Sequence, residues 1–195
     1  MRELVYLSDR KLSEFRQERR RGFRVREIGV PGVGQVGIEQ HADSHLDDVI
    51  DHLSGIARWY QEDGLAAGEW VQFEATMSYT VLAPQDIPAV LIFADAPSGR
   101  RLILHGAPQH LIGAPVPPVT ELPMLWLSRH NALPMLIDAV QGRPRRTARV
   151  GDLTAVVGEV FDPDTAVPMA GYARITTTAF GEVVASPLFV AYARQ

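Results

Sequence analysis

Val71-Gln-Phe-Glu-Ala-Thr-Met-Ser-Tyr-Thr-Val81 is the stretch that decides the fold. Every odd position in it is apolar or aromatic and every even position is polar. A period of two sends alternate side chains to opposite faces of a strand, so the segment reads as a long strand with one face on a core. Downstream, the loop Ala83 to Pro88 leads into Ala89 to Ala94, continuously apolar as a central strand would be. The Pro97-Ser98-Gly99 turn then feeds a third strand, Arg101 to His105. Three successive strands with short turns predict an antiparallel meander. Near the C-terminus, Tyr172 to Ala179 and Val183 to Ala193 are β-rich and flank Phe180-Gly181-Glu182, the pattern of a closing hairpin.

Upstream the period changes. Leu46, Val49, Ile50, Leu53, Ile56 and Tyr60 keep the spacing of one helical face, predicting an amphipathic helix from Ser44 to Tyr60 capped by Asp43 or Ser44. Leu4 to Leu7 reads as a short strand running into a helix over residues 9 to 21. Asn131 to Gln141 reads as another helix, and 153 to 161 is ambiguous between helix and strand. Four prolines between 114 and 123 make a stiff connector, the place for a seam in an otherwise single domain, 1–195. The expected class is α+β: an N-terminal strand–helix unit, one long amphipathic helix, and a mostly antiparallel sheet closed by a C-terminal hairpin, mixed pairing being left open.

With 195 residues, 46% hydrophobic and 22% charged, the chain has a globular composition and length enough for a sizeable core. No run of apolar residues is long enough for a membrane span, and the charged N-terminus predicts no signal peptide. The absence of cysteine excludes disulfides, thiol nucleophiles and thiolate metal sites, and makes a reducing, cytoplasmic setting the default. Residues 1 to 26 hold nine basic and four acidic groups, a local +5 within a net −4. The arginine-rich segment 16 to 26 reads first as a solvated helix end and loop, with docking of a protein partner as the alternative. The acidic whole-chain balance argues against a nucleic-acid binder.

Gly32, Gly34 and Gly37 match G-x-G-x-x-G, but Pro31 precedes them and no helix opens directly after, so no dinucleotide site and no cofactor is expected. His41, His45, Asp48 and His52 fall on one helical stripe, the spacing of a transition-metal site, although Asp43, Asp47 and Asp51 make the whole polar side acidic. Ser8 opens the first helix, and Arg10 and Lys11 follow in its first turn, where the helix dipole disfavours cations. Basic groups beside free backbone N–H groups are what an anion site offers. Mid-chain, His105 and Gly106 end a strand and His110 follows, polar groups beside a glycine that lets a ligand approach backbone.

Four blocks, Val5-Tyr-Leu-Ser-Asp-Arg-Lys-Leu12, Gly68-Glu-Trp-Val-Gln-Phe-Glu74, Leu102-Ile-Leu-His-Gly-Ala-Pro-Gln-His-Leu111 and Ala185-Ser-Pro-Leu-Phe-Val190, together resemble an uncharacterised actinobacterial protein family. The likeness spans nearly the whole chain. Members share the Tyr-Leu-Ser…Lys start and a Leu-His-Gly-Ser-like turn; here Ala107 stands in the serine's place and removes one ligand contact. The resemblance implies an accessory protein with a sensing or regulatory role and brings no activity with it.

The functional expectation is therefore a non-catalytic module binding an anionic small molecule, a nucleotide or phosphate ester, through Tyr6, Ser8, Arg10, Lys11, His105, Gly106 and His110. The alternatives are a metal-assisted hydrolase using the His41–His52 stripe, and a protein-interaction or scaffold module.

Overall fold

The computed structural model describes residues 3–13, 41–82, 89–95, 100–112, 119–120, 162–179 and 182–193. The glycine motif 32–37, the basic segment 16–26, most of the connector 114–123 and the expected elements at 131–141 and 153–161 lie outside these residues. The chain divides into two compact units, Ser8–Ile56 and Met1–Leu7 with Ala57–Gln195.

In the first unit, residues 9–13 are helical, and the Leu12 N–H donates to the Ser8 carbonyl at 3.0 Å. Helix α1, His41–Ile56, buries Val49, Ile50 and Leu53 and exposes Asp47, Asp48, Asp51 and His52, the amphipathic arrangement its spacing dictates.

The second unit is built of strands: β1 Leu4–Leu7, β2 Arg58–Trp59, β3 Trp70–Leu82, β4 Val90–Asp95, β5 Arg101–Gly106, β6 Val119–Thr120, β7 Val167–Ala179 and β8 Glu182–Tyr192. Five of them close a ring. β3 pairs antiparallel with β4, β4 with β5, β5 parallel with β8, β8 antiparallel with β7, and β7 antiparallel with the first half of β3. Passing from partner to partner, Tyr79–Phe93–Leu104–Ala185–Ile175, the path returns to Glu69, just before β3 and ten residues before its starting point. Such a stagger fixes a strongly tilted, narrow barrel, and side chains fill its interior. Three hairpin-linked strands, then a fourth that returns beside the first, make a Greek key. A five-stranded barrel of that connectivity is of the OB type.

The expected α+β class is corrected by this closure: the described residues are mostly strand, and the sheet curls into a barrel instead of lying open against a long helix. Local periodicity reports strands, whereas closure depends on two long-range pairings, β7 with β3 and parallel β5 with β8. The long helix is corrected too. It ends at Ile56, because Arg58 and Trp59 pair with Val71 and Gln72 and draw Tyr60 into the barrel unit. β1 runs into the helical residues 9–13 as expected, but it belongs to the barrel unit, where it pairs with Phe189, Val190 and Ala191 of β8, beyond the four residues that β8 gives to β5.

Val71, Phe73, Met77 and Val81 on β3 meet Leu91 and Phe93, Leu102 and Leu104, and Met169, Ala173 and Ile175 in one core. Gly171 sits where β7 lies closest to β8. A Cβ there would come within 2.2 Å of the Phe189 carbonyl oxygen, so only glycine lets the two backbones approach.

Candidate functional site

The two ends of the barrel gather different chemistry. At the upper end, beyond Gly106 and Leu82, aromatic rings form a row. His110 meets Tyr6 edge-on at 5.8 Å between centroids, Tyr6 meets Phe93 at 6.1 Å and 84°, and Phe93 meets Tyr79 at 5.4 Å. Tyr79 shares a hydrogen bond with Tyr192; burial first, and then Tyr192, push its phenol up to about 12, so it keeps its proton at ordinary pH.

Backbone pairing sets this geometry. Tyr6 lies on β1 opposite Val190 and bridges to Leu111, and the Ile112 N–H donates to the Val5 carbonyl at 2.9 Å. The N-terminal strand thereby holds the chain that leaves β5, including the short 3₁₀ turn Pro108–His110. Gly106 faces the Tyr6 ring: a Cβ added there would stand 2.5 Å from the phenol oxygen and 2.8 Å from Cζ. The glycine expected to admit a ligand admits a side chain of the protein itself.

Of the residues singled out in the sequence, Tyr6, Gly106 and His110 come together here. His105 does not join them. Leu102 and Leu104 point into the barrel, so His105, one step on, points out, where it is 2% exposed. Its Nε2 lies 3.2 Å from Thr176 Oγ1, and the Thr176 hydroxyl donates its one hydrogen to the Val184 carbonyl at 2.9 Å. The threonine oxygen accepts from the ring, so Nε2 carries the proton, and His105 ties β5 to β7 and β8. Ser8, Arg10 and Lys11 belong to the other unit; Ser8 is buried and Arg10 exposed. On α1, Asp48 and His52 are exposed, while the side chains of His41 and His45 lie outside the described residues. Among the described residues no group of three or more His, Asp or Glu is placed to hold a metal ion.

The lower end is ionic. Asp95 continues the inward face of β4 after Leu91 and Phe93, yet it is a carboxyl only 4% exposed. Its Oδ1 accepts the Leu102 N–H at 2.9 Å across the β4–β5 turn, and its Oδ2 accepts the Tyr60 hydroxyl at 3.5 Å. Burial pushes the carboxyl up to about 6, against the opposing pull of the Leu102 N–H, of Arg101 and of Tyr60. Burial also raises the Tyr60 phenol, whose oxygen accepts from Gln61 Nε2 at 3.2 Å. Residues 58–69 cross this end of the barrel. They are tied by Arg58 to Glu62 at 2.9 Å, by Arg100 to Asp63 at 2.9 Å and by the Gly68 N–H to the Ile175 carbonyl at 2.8 Å. Arg58 holds the Glu62 carboxyl below its usual range.

Sequence reasoning missed Asp95 and Tyr60. The signal for Asp95 was present, since 91, 93 and 95 share one face and an acid at the last inward position breaks the apolar pattern. Tyr79, Phe93 and Tyr192 read only as core.

In barrels of the OB type, the outer face of the second and third strands takes oligonucleotides and oligosaccharides. Here those strands are β4 and β5, and their outer face presents Val90, Ile92, Ala94, Ile103 and His105, none more than 3% exposed, with the half-buried Arg101 at its edge. Among the described residues it offers one cation, Arg101, and no exposed ring for phosphates and bases to use. No protein-family model, no curated protein and no solved structure matches this chain.

Proposed function

We propose that the chain is a non-catalytic binding module that takes an anionic small molecule, a nucleotide or phosphate ester, at the upper mouth of the barrel. The observation that carries this reading is the convergence of Tyr6, Gly106 and His110, a hundred residues apart in sequence, at one barrel end. His110 is half-buried beside the Tyr6 ring, so its imidazole offers a hydrogen-bond donor at a site whose floor is aromatic. The phenol of Tyr79, held protonated, adds no negative charge to repel an anion. The largely buried outer face of β4 and β5, mostly apolar with Arg101 at its edge, argues against an extended nucleic-acid strand as the ligand. A small molecule at the mouth asks for no such face.

Thermal shift and titration calorimetry against nucleoside mono-, di- and triphosphates and inorganic phosphate test the reading. A ligand at a hundred times its Kd adds about 2.7 kcal/mol to stability. For a chain of this size that moves Tm by roughly 5–10 °C. His110→Ala is expected to abolish the shift while leaving the unliganded Tm within about 2 °C. Silence across the panel, or equal binding by the variant, overturns it.

A further inference from the structure

We propose that Asp95, Tyr60 and residues 58–69 form a proton-operated latch at the lower end of the barrel, shut when the carboxyl carries its proton and loosened when it does not. The geometry supplies each part. The segment is pinned at its two ends, by the β2 pairing with β3 and by the reciprocal bonds of Gly68 and Glu69 with Ile175. Between those pins, the segment reaches into the barrel through Tyr60 and Leu65, 4% and 8% exposed. Tyr60 ends on Asp95, and that contact, at 3.5 Å, is at the outer limit of a hydrogen bond.

A neutral carboxyl is content in such a place. An ionised one asks for water or short donors, and beside the distant Tyr60 hydroxyl it has two backbone donors, the Leu102 N–H on β5 and its own N–H. The groups that face Asp95 are few. Tyr60 comes from the crossing segment, Arg101 from β5, and Met77 opposite it on β3 brings no charge. Farther out, Arg100 holds the same segment from the start of β5 through Asp63 and the Glu62 carbonyl, so opening is local.

The sign follows from burial. A carboxyl that binds its proton more tightly when covered favours the closed arrangement in acid, fully so below its ordinary range near 4. That preference is lost as pH rises through about 6. Opening of the segment therefore grows with pH across the interval in which few other side chains titrate.

Amide hydrogen exchange of the full chain between pH 4.5 and 7.5 reads this directly. After correction for intrinsic chemistry, the Tyr60 amide, bonded to the Gln72 carbonyl, is expected to exchange roughly ten- to a hundredfold more readily at the upper pH, with a midpoint near 6. The Tyr79–Phe93 ladder at the other end serves as the flat internal reference. Asp95→Asn, which keeps an acceptor for Leu102, is expected to remove the acceleration. Tyr60→Phe withdraws a group that pulls the Asp95 proton affinity down, so it shifts the midpoint upward. If Asp95→Asn does not fold, the carboxyl is titrated by carbon NMR in the native chain. A midpoint near 4, no acceleration, or the same acceleration in Asp95→Asn each overturns the latch.

Discussion

The barrel is one apolar tube finished in two ways. Its upper end is closed by His110, Tyr6 and Phe93, which meet edge to face, by Tyr79 tilted against Phe93, and by Tyr192 hydrogen-bonded to Tyr79. Its lower end is closed by a buried carboxyl, a tyrosine and exposed ion pairs on residues 58–69. Dispersion and shape hold the first end, and neither depends on proton concentration or salt. Solvation balance holds the second, and that depends on pH. On the readings proposed above, the first end is the more rigid of the two and the second the one that yields.

The largest test of that division removes the centre of the aromatic row. Phe93→Ala deletes a fully buried ring that touches both Tyr6 and Tyr79, and a loss of about 3–5 kcal/mol is expected. Urea unfolding at pH 5 and pH 7.5 checks it, and the loss should be the same at both. A pH-dependent loss would show that the two ends are coupled after all.

Gly106→Ala comes next. Its Cβ would press on Cζ and Cε2 of Tyr6 at 2.8 and 2.9 Å, atoms of a ring already fixed by Phe93 and His110. Overpacking of this kind costs about 1–3 kcal/mol. Tyr6→Phe removes the nearest atom, the oxygen at 2.5 Å, so the double variant is expected to recover part of the loss, with a coupling of about 0.5–1 kcal/mol. Full additivity in the double-mutant cycle would mean that Tyr6 moves freely and that the mouth is not rigid.

Much of the barrel wall was legible as isolated strands. The alternation from Val71 to Val81, the apolar run before Ala94 and the β-rich residues either side of Gly181 each mark a strand, because a side chain facing a core must be apolar wherever the backbone places it. The ring was not legible. Pairing of Val71 with Ala173, or of Leu104 with Ala185, joins residues about eighty to a hundred positions apart, and no local pattern encodes it. The same limit explains the site. Tyr6, Gly106 and His110 were visible as polar or glycine punctuation, and their meeting rests on the bridge from Tyr6 to Leu111. His105 looked identical in sequence and falls on the opposite face by one residue of strand parity. Asp95 was passed over because it closes an apolar run, where an acid reads as the start of a turn.

The smallest effects separate the buried part of the lower end from its exposed part. Tyr60→Phe loses the donor to Asp95 and the acceptor for Gln61, a change of about 0.5–1.5 kcal/mol. Its cost should be greater at pH 7.5, where Asp95 is ionised and has lost the Tyr60 donor. Asp63→Ala breaks the 2.9 Å pair with Arg100, yet the Asp63 side chain is fully exposed and water replaces the partner, so Tm should not move beyond error. Raising the salt concentration should likewise leave the Tyr60→Phe difference intact, since screening acts on charges in solvent and not on a covered carboxyl. If Asp63→Ala proved the costlier of the two, the ion pairs would be what holds residues 58–69 in place. Asp95 would then be a passenger beneath a lid fastened from outside.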